Sequence, residues 1–395
     1  FWRDDFCDFL RKGVAMIFYN ARIFTGDEFI ENGAVEFENG KITDVMAAYS
    51  GTDGEDMHGA FIYPGFIDAH THVGMWEDGL SFEGDDGNED TDPCTPQLRA
   101  IDAVNPADRC FDEALKAGIT AVVTGPGSAN PVSGQSALLK THGRTVDEMA
   151  VLPYCAMKMA LGENPKRTYN DKDQTPVTRM ATASIIREML FKASRYNDDL
   201  RRYERDQDNY DKPEFDIKCE ALVPVIRGEK PVHFHAHRAD DICTAIRIAE
   251  EFDLDYVIVH ATDGAVISDT LAKKQAKILC GPVISERCKP EMRSLDISTA
   301  AKLFNAGIEP AIITDHPVIP LQYLSMCAAM CVKGGLSKLD ALRAMTSIPA
   351  KILGVGDRIG ALKKGMDADI VVANGEIFDI FTEVKRVYIG GERVI

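Results

Sequence analysis

Two histidines separated by a single residue, His70 and His72, are the residues whose types and spacing most directly suggest chemistry. They end a largely apolar, strand-like run at residues 64–69. Because side chains alternate across a β-strand, both imidazoles point to the same side. Two imidazoles at one strand end supply half of a typical metal site. The alternative is a pair of ordinary polar residues on a solvent-facing strand surface.

Further residues that can bind metal stand at the ends of other predicted strands, namely His235, His260 and Asp315. Enzymes built on β/α barrels place their chemistry at the carboxyl ends of the strands, so these side chains would meet at one rim. A single strand-end histidine is more often an ordinary hydrogen-bonded residue, but their combination predicts a metal centre. His233 and His237 share the face of His235, and we interpret His233 as buried beneath the site.

The elements that must position these residues alternate between helix and strand, which indicates a parallel sheet with crossover helices. In one unit a predicted helix ends at Gly118 and a strand follows over 119–124. Similar units recur as far as residue 314, and their number predicts an α/β fold with a (β/α)8 TIM barrel. The alternative is an open doubly wound sheet, which the lack of a GxGxxG loop after any predicted strand makes less favourable.

Both ends of the chain instead read as short strands separated by glycine turns, such as the one at Asn39 and Gly40. We therefore predict one small β-sandwich built from residues 16–66 and 352–395, beside a metal-binding barrel over 67–351. Residues 1–15 do not fit this pattern and are predicted to form a peripheral N-terminal extension. Within the barrel we expect an exposed helix and loop over 197–216 and a strand at 221–225.

Composition restricts the partners of this protein. The 395 residues carry a formal net charge of −18, which argues against nucleic acid and against anionic membrane surfaces. No apolar run is long enough to span a bilayer, and we expect no secretory signal. The ten cysteines are scattered without a CxxC pair, which favours a reducing compartment and a cytoplasmic location. The small molecules that the barrel rim could bind are the expected partners.

The run from Pro64 to His72, the strand-end residues His235, His260 and Asp315, and the tail segment at 359–372 resemble the amidohydrolase superfamily of metal-dependent hydrolases. The resemblance is strongest to its branch related to imidazolonepropionase and the metallo-dipeptidases. It extends over nearly all of residues 16–395 and implies a (β/α)8 barrel with a β-sandwich beside it. Relatives are commonly dimers or larger, so a homo-oligomer is expected.

The resemblance implies one or two divalent metal ions, with zinc as the first choice. One ion would be bound by His70, His72 and Asp315, and a second by His235 and His260. Lys158, in an apolar strand pattern, corresponds by position to a lysine that is carboxylated and bridges two metals in some branches. Burial favours the neutral amine that reacts with carbon dioxide. Three alternatives stay open: Glu163 as the bridge, His237 as a ligand in place of His235, and Lys158 as an ordinary lysine.

The implied reaction is hydrolysis of a C–N bond in a cyclic amide or a peptide-like compound. A metal ion lowers the pKa of bound water toward ~7 and so provides hydroxide at neutral pH. Asp315 would act as general acid and base, and the metal or His260 would polarise the attacked carbonyl. Arg167 and His237 are candidates for substrate binding. Two alternatives are a mononuclear deaminase of the same fold and a non-catalytic scaffold protein.

Overall fold

A computed structural model describes residues 15–51 and 53–395. The predicted peripheral extension therefore lies outside the described residues, apart from Ala15. Sixteen described strands, β1 to β16, are Met16–Phe24, Phe29–Glu38, Lys41–Met46, Glu55–Asp56, Phe61–Pro64, Phe66–Thr71, Ile119–Thr124, Val132–Lys140, Ala150–Ala160, Val232–Ala236, Tyr256–His260, Lys277–Cys280, Ala311–Ile312, Ile370–Ala373, Val384–Ile389 and Glu392–Arg393.

Eleven α-helices are described, α1 to α11 in chain order. They are Arg109–Lys116, Val146–Met149, Glu163–Asn170, Arg179–Arg205, Ile217–Ile226, Ala239–Glu251, Ser268–Lys273, Thr299–Asn305, Leu324–Lys333, Lys338–Arg343 and Ser347–Ile352. Short 3-10 helices cover Ser81–Gly84, Ala100–Asp102, Gly264–Ile267, Pro290–Met292 and Leu321–Tyr323. Within the described residues, none of these helices has the length and apolar character needed to cross a membrane.

The barrel sheet contains strands β6 to β13 in sequential order and confirms the predicted fold class. Its first and last strands meet where the Thr314 amide donates to Asp68 Oδ2 over 3.2 Å, and the His72 amide donates to the His316 carbonyl over 2.8 Å. Strand β8 departs from the predicted parallel arrangement, because it runs antiparallel to both β7 and β9. Only residues 125–131 connect β7 to β8, and a parallel crossover needs a dozen or more residues.

The second sheet combines strands from both chain ends in the order β16-β15-β14-β5-β1-β2-β3, with β4 paired to β1. Strand β14 pairs antiparallel with β5, so the C-terminal segment is hydrogen-bonded to the strand that leads into the barrel. Its core holds Phe18, Phe37 and Tyr388, whose ring centroids lie 5.2–5.6 Å apart. A sheet made from both ends was predicted, and the exact division of the chain at residues 66 and 352 stays a prediction.

One predicted strand is wrong. Residues 221–225 lie inside helix α5, whose first turn is capped by the Asp216 carboxylate accepting from the amides of Lys218 and Cys219. Periodicity cannot separate a buried strand from a buried helix over so short an apolar run. The predicted helix end at Gly118 is confirmed, since this residue adopts a φ of +83° that favours glycine.

Gly65 brings the second sheet and the barrel into close contact just before the two histidines. A Cβ atom at this position would lie 1.9 Å from Thr120 Oγ1 and 2.6 Å from its Cγ2. We therefore expect Gly65→Ala to destabilise the protein by about 1–3 kcal/mol through overpacking. Thermal unfolding checks this, with Gly356→Ala as a control, because a Cβ there meets no atom closer than 3.5 Å. Equal melting temperatures for both variants would contradict the expectation.

Candidate metal centre

The first strand and the last strand of the barrel together present one carboxylate and two imidazoles. His70 Nε2 lies 3.3 Å from Asp315 Oδ1, and His72 Nε2 lies 3.4 Å from the same oxygen. The ligand atoms of these three residues lie within 4.8 Å of one another. Residues distant in sequence therefore converge, because parallel strands end at the same rim of a barrel.

Three imidazoles form a second group, which contains His235, His237 and His260. All three side chains are buried. The rings of His237 and His260 are stacked with centroids 4.4 Å apart, and His235 packs edge-on to His260 at 4.5 Å. Sequence analysis expected either His235 or His237 beside His260, and the structure brings both into the group.

Backbone carbonyls determine which ring nitrogens of these histidines can bind a cation. His72 Nδ1 lies 2.7 Å from the Gly125 carbonyl, and His260 Nδ1 lies 2.8 Å from the Gly281 carbonyl. A carbonyl oxygen only accepts, so each Nδ1 carries the hydrogen and each neutral ring keeps a lone pair on Nε2. For His72 that lone pair faces a carboxylate oxygen of Asp315. A divalent metal between the lone pair and the carboxylate would bind both, so this set of ligand atoms fits a metal site.

Burial sets the charge state of the ligands. It lowers the pKa of His70 to about 3, with a further contribution from nearby Lys158, and it lowers the pKa of His237 to about 4. The pKa values of His235 and His260 lie well below the usual value for the same reason. Burial alone would raise the pKa of Asp315, but the surrounding histidines hold it well below its usual range. Neutral imidazoles and an ionised carboxylate are the forms that bind metal.

Lys158 is fully buried in strand β9, with its Nζ atom 3.1 Å from His70 Nε2. Burial lowers the pKa of this lysine to about 8. Near neutral pH most of this amine is still protonated, and roughly a tenth is neutral at pH 7. The alternative bridge, Glu163, begins helix α3 and belongs to neither ligand group, and its backbone amide instead donates to Glu291 Oε2 over 2.9 Å.

Two of the ligand residues adopt backbone conformations that are uncommon for residues other than glycine. His260 has a φ of +78° and Asp315 a φ of +57°, and Ala261 follows with +48°. Such conformations cost of the order of 1–3 kcal/mol each and persist only where surrounding structure imposes them. Here they turn the side chains at the strand ends toward the shared rim.

Asp68 holds the strands that carry the first ligand group. Its carboxylate accepts from the Thr314 hydroxyl over 2.5 Å, from the Thr314 amide over 3.2 Å and from the His70 amide over 3.3 Å. Burial raises the pKa of Asp68 to about 7. One buried side chain therefore links the backbone beside His70 to the backbone beside Asp315.

A cavity of about 630 Å³ opens over the ligands. His72, Lys158, Asp315 and the three histidines of the second group line its floor. Arg167, proposed from sequence for substrate binding, lies on its wall, and Asn164 and Lys289 line it as well. Lys289 Nζ donates to Asn164 Oδ1 over 2.6 Å, which turns the Asn164 amide nitrogen toward Ser128 and His235.

Sequence analysis missed Asn164, Lys289 and Glu291. Asn164 follows Glu163, and the other two lie on the loop after strand β12. None of the three ends a strand, so the pattern of strand-end residues does not include them. The available signal was their position in segments that directly follow barrel strands, where functional residues concentrate.

Removal of the Asp68 carboxylate should loosen the first ligand group. We expect Asp68→Ala to weaken zinc binding at His70, His72 and Asp315 by about 10–100-fold, the range for outer-shell partners. Calorimetric titration of metal-free protein measures this. Asp68→Asn keeps one oxygen acceptor and should lose less affinity. Unchanged affinity in folded Asp68→Ala would show that the link does not position the ligands.

Comparison with known proteins places the chain in a family. The model of the amidohydrolase family matches residues 61–394. A crystal structure of an amidohydrolase from Thermotoga maritima MSB8 is 42% identical, with a TM-score of 0.92, and the match covers 96% of this chain and 99% of that chain.

Two curated proteins are also similar. Amidohydrolase tasK of Hapsidospora irregularis is 30% identical over 392 residues, which is 93% of this chain but 39% of that protein. The chain therefore spans well under half the length of this relative. Imidazolonepropionase of Thermoplasma volcanium is 40% identical over 47 residues, 12% of each chain. The extent of the family match, together with the barrel and its strand-end ligands, shows that the chain belongs to the amidohydrolase family.

Proposed function

We propose that this protein hydrolyses a C–N bond in a small cyclic amide or peptide-like compound, with one or two divalent metal ions, zinc being the first choice. The observation that carries the proposal is the pair of ligand groups on the floor of one cavity. The cavity volume of about 630 Å³ lies within the range of small-molecule sites. Membership of the amidohydrolase family supports hydrolysis and leaves the type of bond as a proposal.

The proposed metal ligands are His70, His72 and Asp315 for one ion, and His235 and His260 for the second. A bound divalent ion lowers the pKa of coordinated water and polarises a carbonyl oxygen. His260 suits the role of ligand better than that of a hydrogen-bond donor to the carbonyl, because its Nδ1 hydrogen is held by Gly281.

Asp315 is the proposed general base and general acid. Its carboxylate lies on the cavity floor between His70 and His72, and its low pKa keeps it ionised and able to accept a proton from the attacking water. The same carboxyl group then delivers that proton to the departing nitrogen. This transfer avoids release of an unstable amide anion.

Substrate binding is assigned to Arg167 and His237, which lie on the wall and the floor of the cavity. The Arg167 guanidinium is largely exposed and 3.9 Å from Asp171, so it is free to pair with a substrate carboxylate. His237 Nδ1 is held 2.7 Å from Thr262 Oγ1, which leaves Nε2 directed toward the site.

Lys158 is the proposed bridge between two ions in its carboxylated form, with Glu163 as the alternative. The contact between Lys158 and His70 supports the lysine. It also favours the two-metal hydrolase over a mononuclear deaminase, for which a lysine remote from the ligands would be expected.

We further propose a cytoplasmic location and a homo-oligomeric assembly. All nine cysteines in the described part of the chain are free thiols, as expected in a reducing compartment. The high negative charge supports the absence of nucleic-acid and membrane partners.

The experiment that tests the function is a screen of zinc-loaded protein against lactams, N-acyl amides and dipeptides. We expect hydrolysis of at least one class, loss of activity after chelation and its return with added zinc. Asp315→Asn should lower kcat by about 10²–10⁴-fold, as expected for loss of a general base. Metal content measured in the same variant separates this effect from loss of the ion. No hydrolysis of any class by metal-loaded protein would overturn the proposal.

Carboxylation of Lys158 gives a separate prediction. Protein prepared with isotopically labelled bicarbonate should show one carbamate carbon resonance, which Lys158→Ala abolishes. Lys116→Ala is the control, since this lysine is exposed near the end of helix α1 and should keep the resonance. A wild-type spectrum without the resonance would indicate that Lys158 remains an unmodified amine.

A further inference from the structure

Glu291 is a buried carboxylate beside the second ligand group, with one oxygen that lacks a partner. The residue is 1% exposed and lies in the short 3-10 helix Pro290–Met292, on the loop after strand β12. Its Oε2 atom accepts from the Glu163 amide over 2.9 Å. Its Oε1 atom has no hydrogen-bond partner and lies 3.9 Å from the Nε2 atoms of both His235 and His237.

The charge of Glu291 is not balanced by neighbouring cationic side chains. Lys289 donates to Asn164 Oδ1, and Arg179 pairs with Asp241 over 2.9 Å. Within residues 15–51 and 53–395, the only ion-pairing side chains that reach Glu291 are those two histidines. A buried carboxylate is strongly disfavoured unless it is paired or binds a metal.

The neighbouring backbone brings Glu291 to this position. Gly162, with a φ of +92°, precedes the amide that binds Oε2, and a Cβ atom there would lie 2.8 Å from that oxygen. The side chain is therefore held by an amide on one side, and a residue larger than glycine would displace it. Because Oε2 is held by the Glu163 amide, Oε1 is left facing His235 and His237.

The distances suit coordination. Ligand atoms about 2.1 Å from one cation are about 3.4 Å apart in tetrahedral geometry and at most about 4.2 Å apart in any geometry, and the 3.9 Å separations lie between these two values. Thr262 fixes the His237 ring so that Nε2 faces inward, and the Asn164 amide lies 3.4 Å from His235 Nε2. The carboxylate oxygen thus lies at the same distance from the two ring nitrogens.

We propose that Glu291 binds a divalent cation together with His235 and His237, so that binding at these residues does not depend on carboxylation of Lys158. The inference rests on the proposed metal sites and adds a residue to them. Glu291, His235 and His237 supply one carboxylate and two imidazoles, a combination that suits zinc and other divalent transition metals. In this inference His237 takes its alternative role as a metal ligand instead of a substrate-binding residue.

The test compares metal binding in Glu291→Gln and wild type, both stripped and then titrated with cobalt(II). Glutamine keeps the side-chain shape and an oxygen that can accept from the Glu163 amide. We expect the second cobalt ion to bind more than about 100-fold more weakly or not at all, which exceeds the roughly 10–100-fold loss typical of outer-shell partners. The visible absorption of that ion should also change, while the first ion binds as in wild type.

Glu286→Gln is the matched control, because Glu286 is an exposed carboxylate on the same loop and its loss changes the net charge equally. Cobalt binding by this variant should equal that of wild type. If Glu291→Gln does not fold, Glu291→Asp keeps the charge but draws the carboxylate back, and should weaken the same ion. Wild-type affinity and absorption in a folded Glu291→Gln, or a wild type that binds a single ion, would overturn the inference. A wild type that binds no divalent ion would instead overturn the proposed function.

Discussion

The site depends on acceptor atoms that face one another across a buried space. The carbonyls of Gly125 and Gly281 hold the Nδ1 hydrogens of His72 and His260, so both rings direct lone pairs inward. The carboxylate of Asp315 faces the same space. A divalent cation in this space would bind the inward lone pairs and the carboxylate together. The hydrogen bonds at Nδ1 therefore orient the rings whose Nε2 atoms are the candidate ligand atoms.

The barrel holds the candidate ligand residues in strained and buried positions. Two of the candidate ligand residues adopt left-handed backbone conformations, and the candidate histidines are buried. Asp68 links the first and last strands of the barrel, because its carboxylate accepts from the backbone amides of His70 and Thr314. A rigid, hydrogen-bonded barrel can hold such strained and desolvated groups, whereas a flexible loop would relax away from them.

Much of the fold followed from local patterns. The strand-end positions of His70, His72, His235, His260 and Asp315 were visible because apolar runs of strand length precede each of them. The helix end at Gly118 was visible for a similar reason. The strand predicted at 221–225 was wrong because its apolar run is short and the Asp216 cap favours a helix. The reversal of strand β8 depended on the length of one connection rather than on the pattern of the strand itself.

The sequence by itself determined the candidate metal ligands, since the spacing of histidines at strand ends and Asp315 indicated a metal centre, and its resemblance to the amidohydrolase superfamily implied a metal-dependent hydrolase. Only the tertiary structure decided which further residues join the site. His237 belongs to the second group because its ring stacks on that of His260. Glu291 lies close to Gly162, where a side chain on residue 162 would displace its carboxylate. These contacts depend on how strands and loops pack across the barrel rim, and residue patterns along one strand carry no information about that packing.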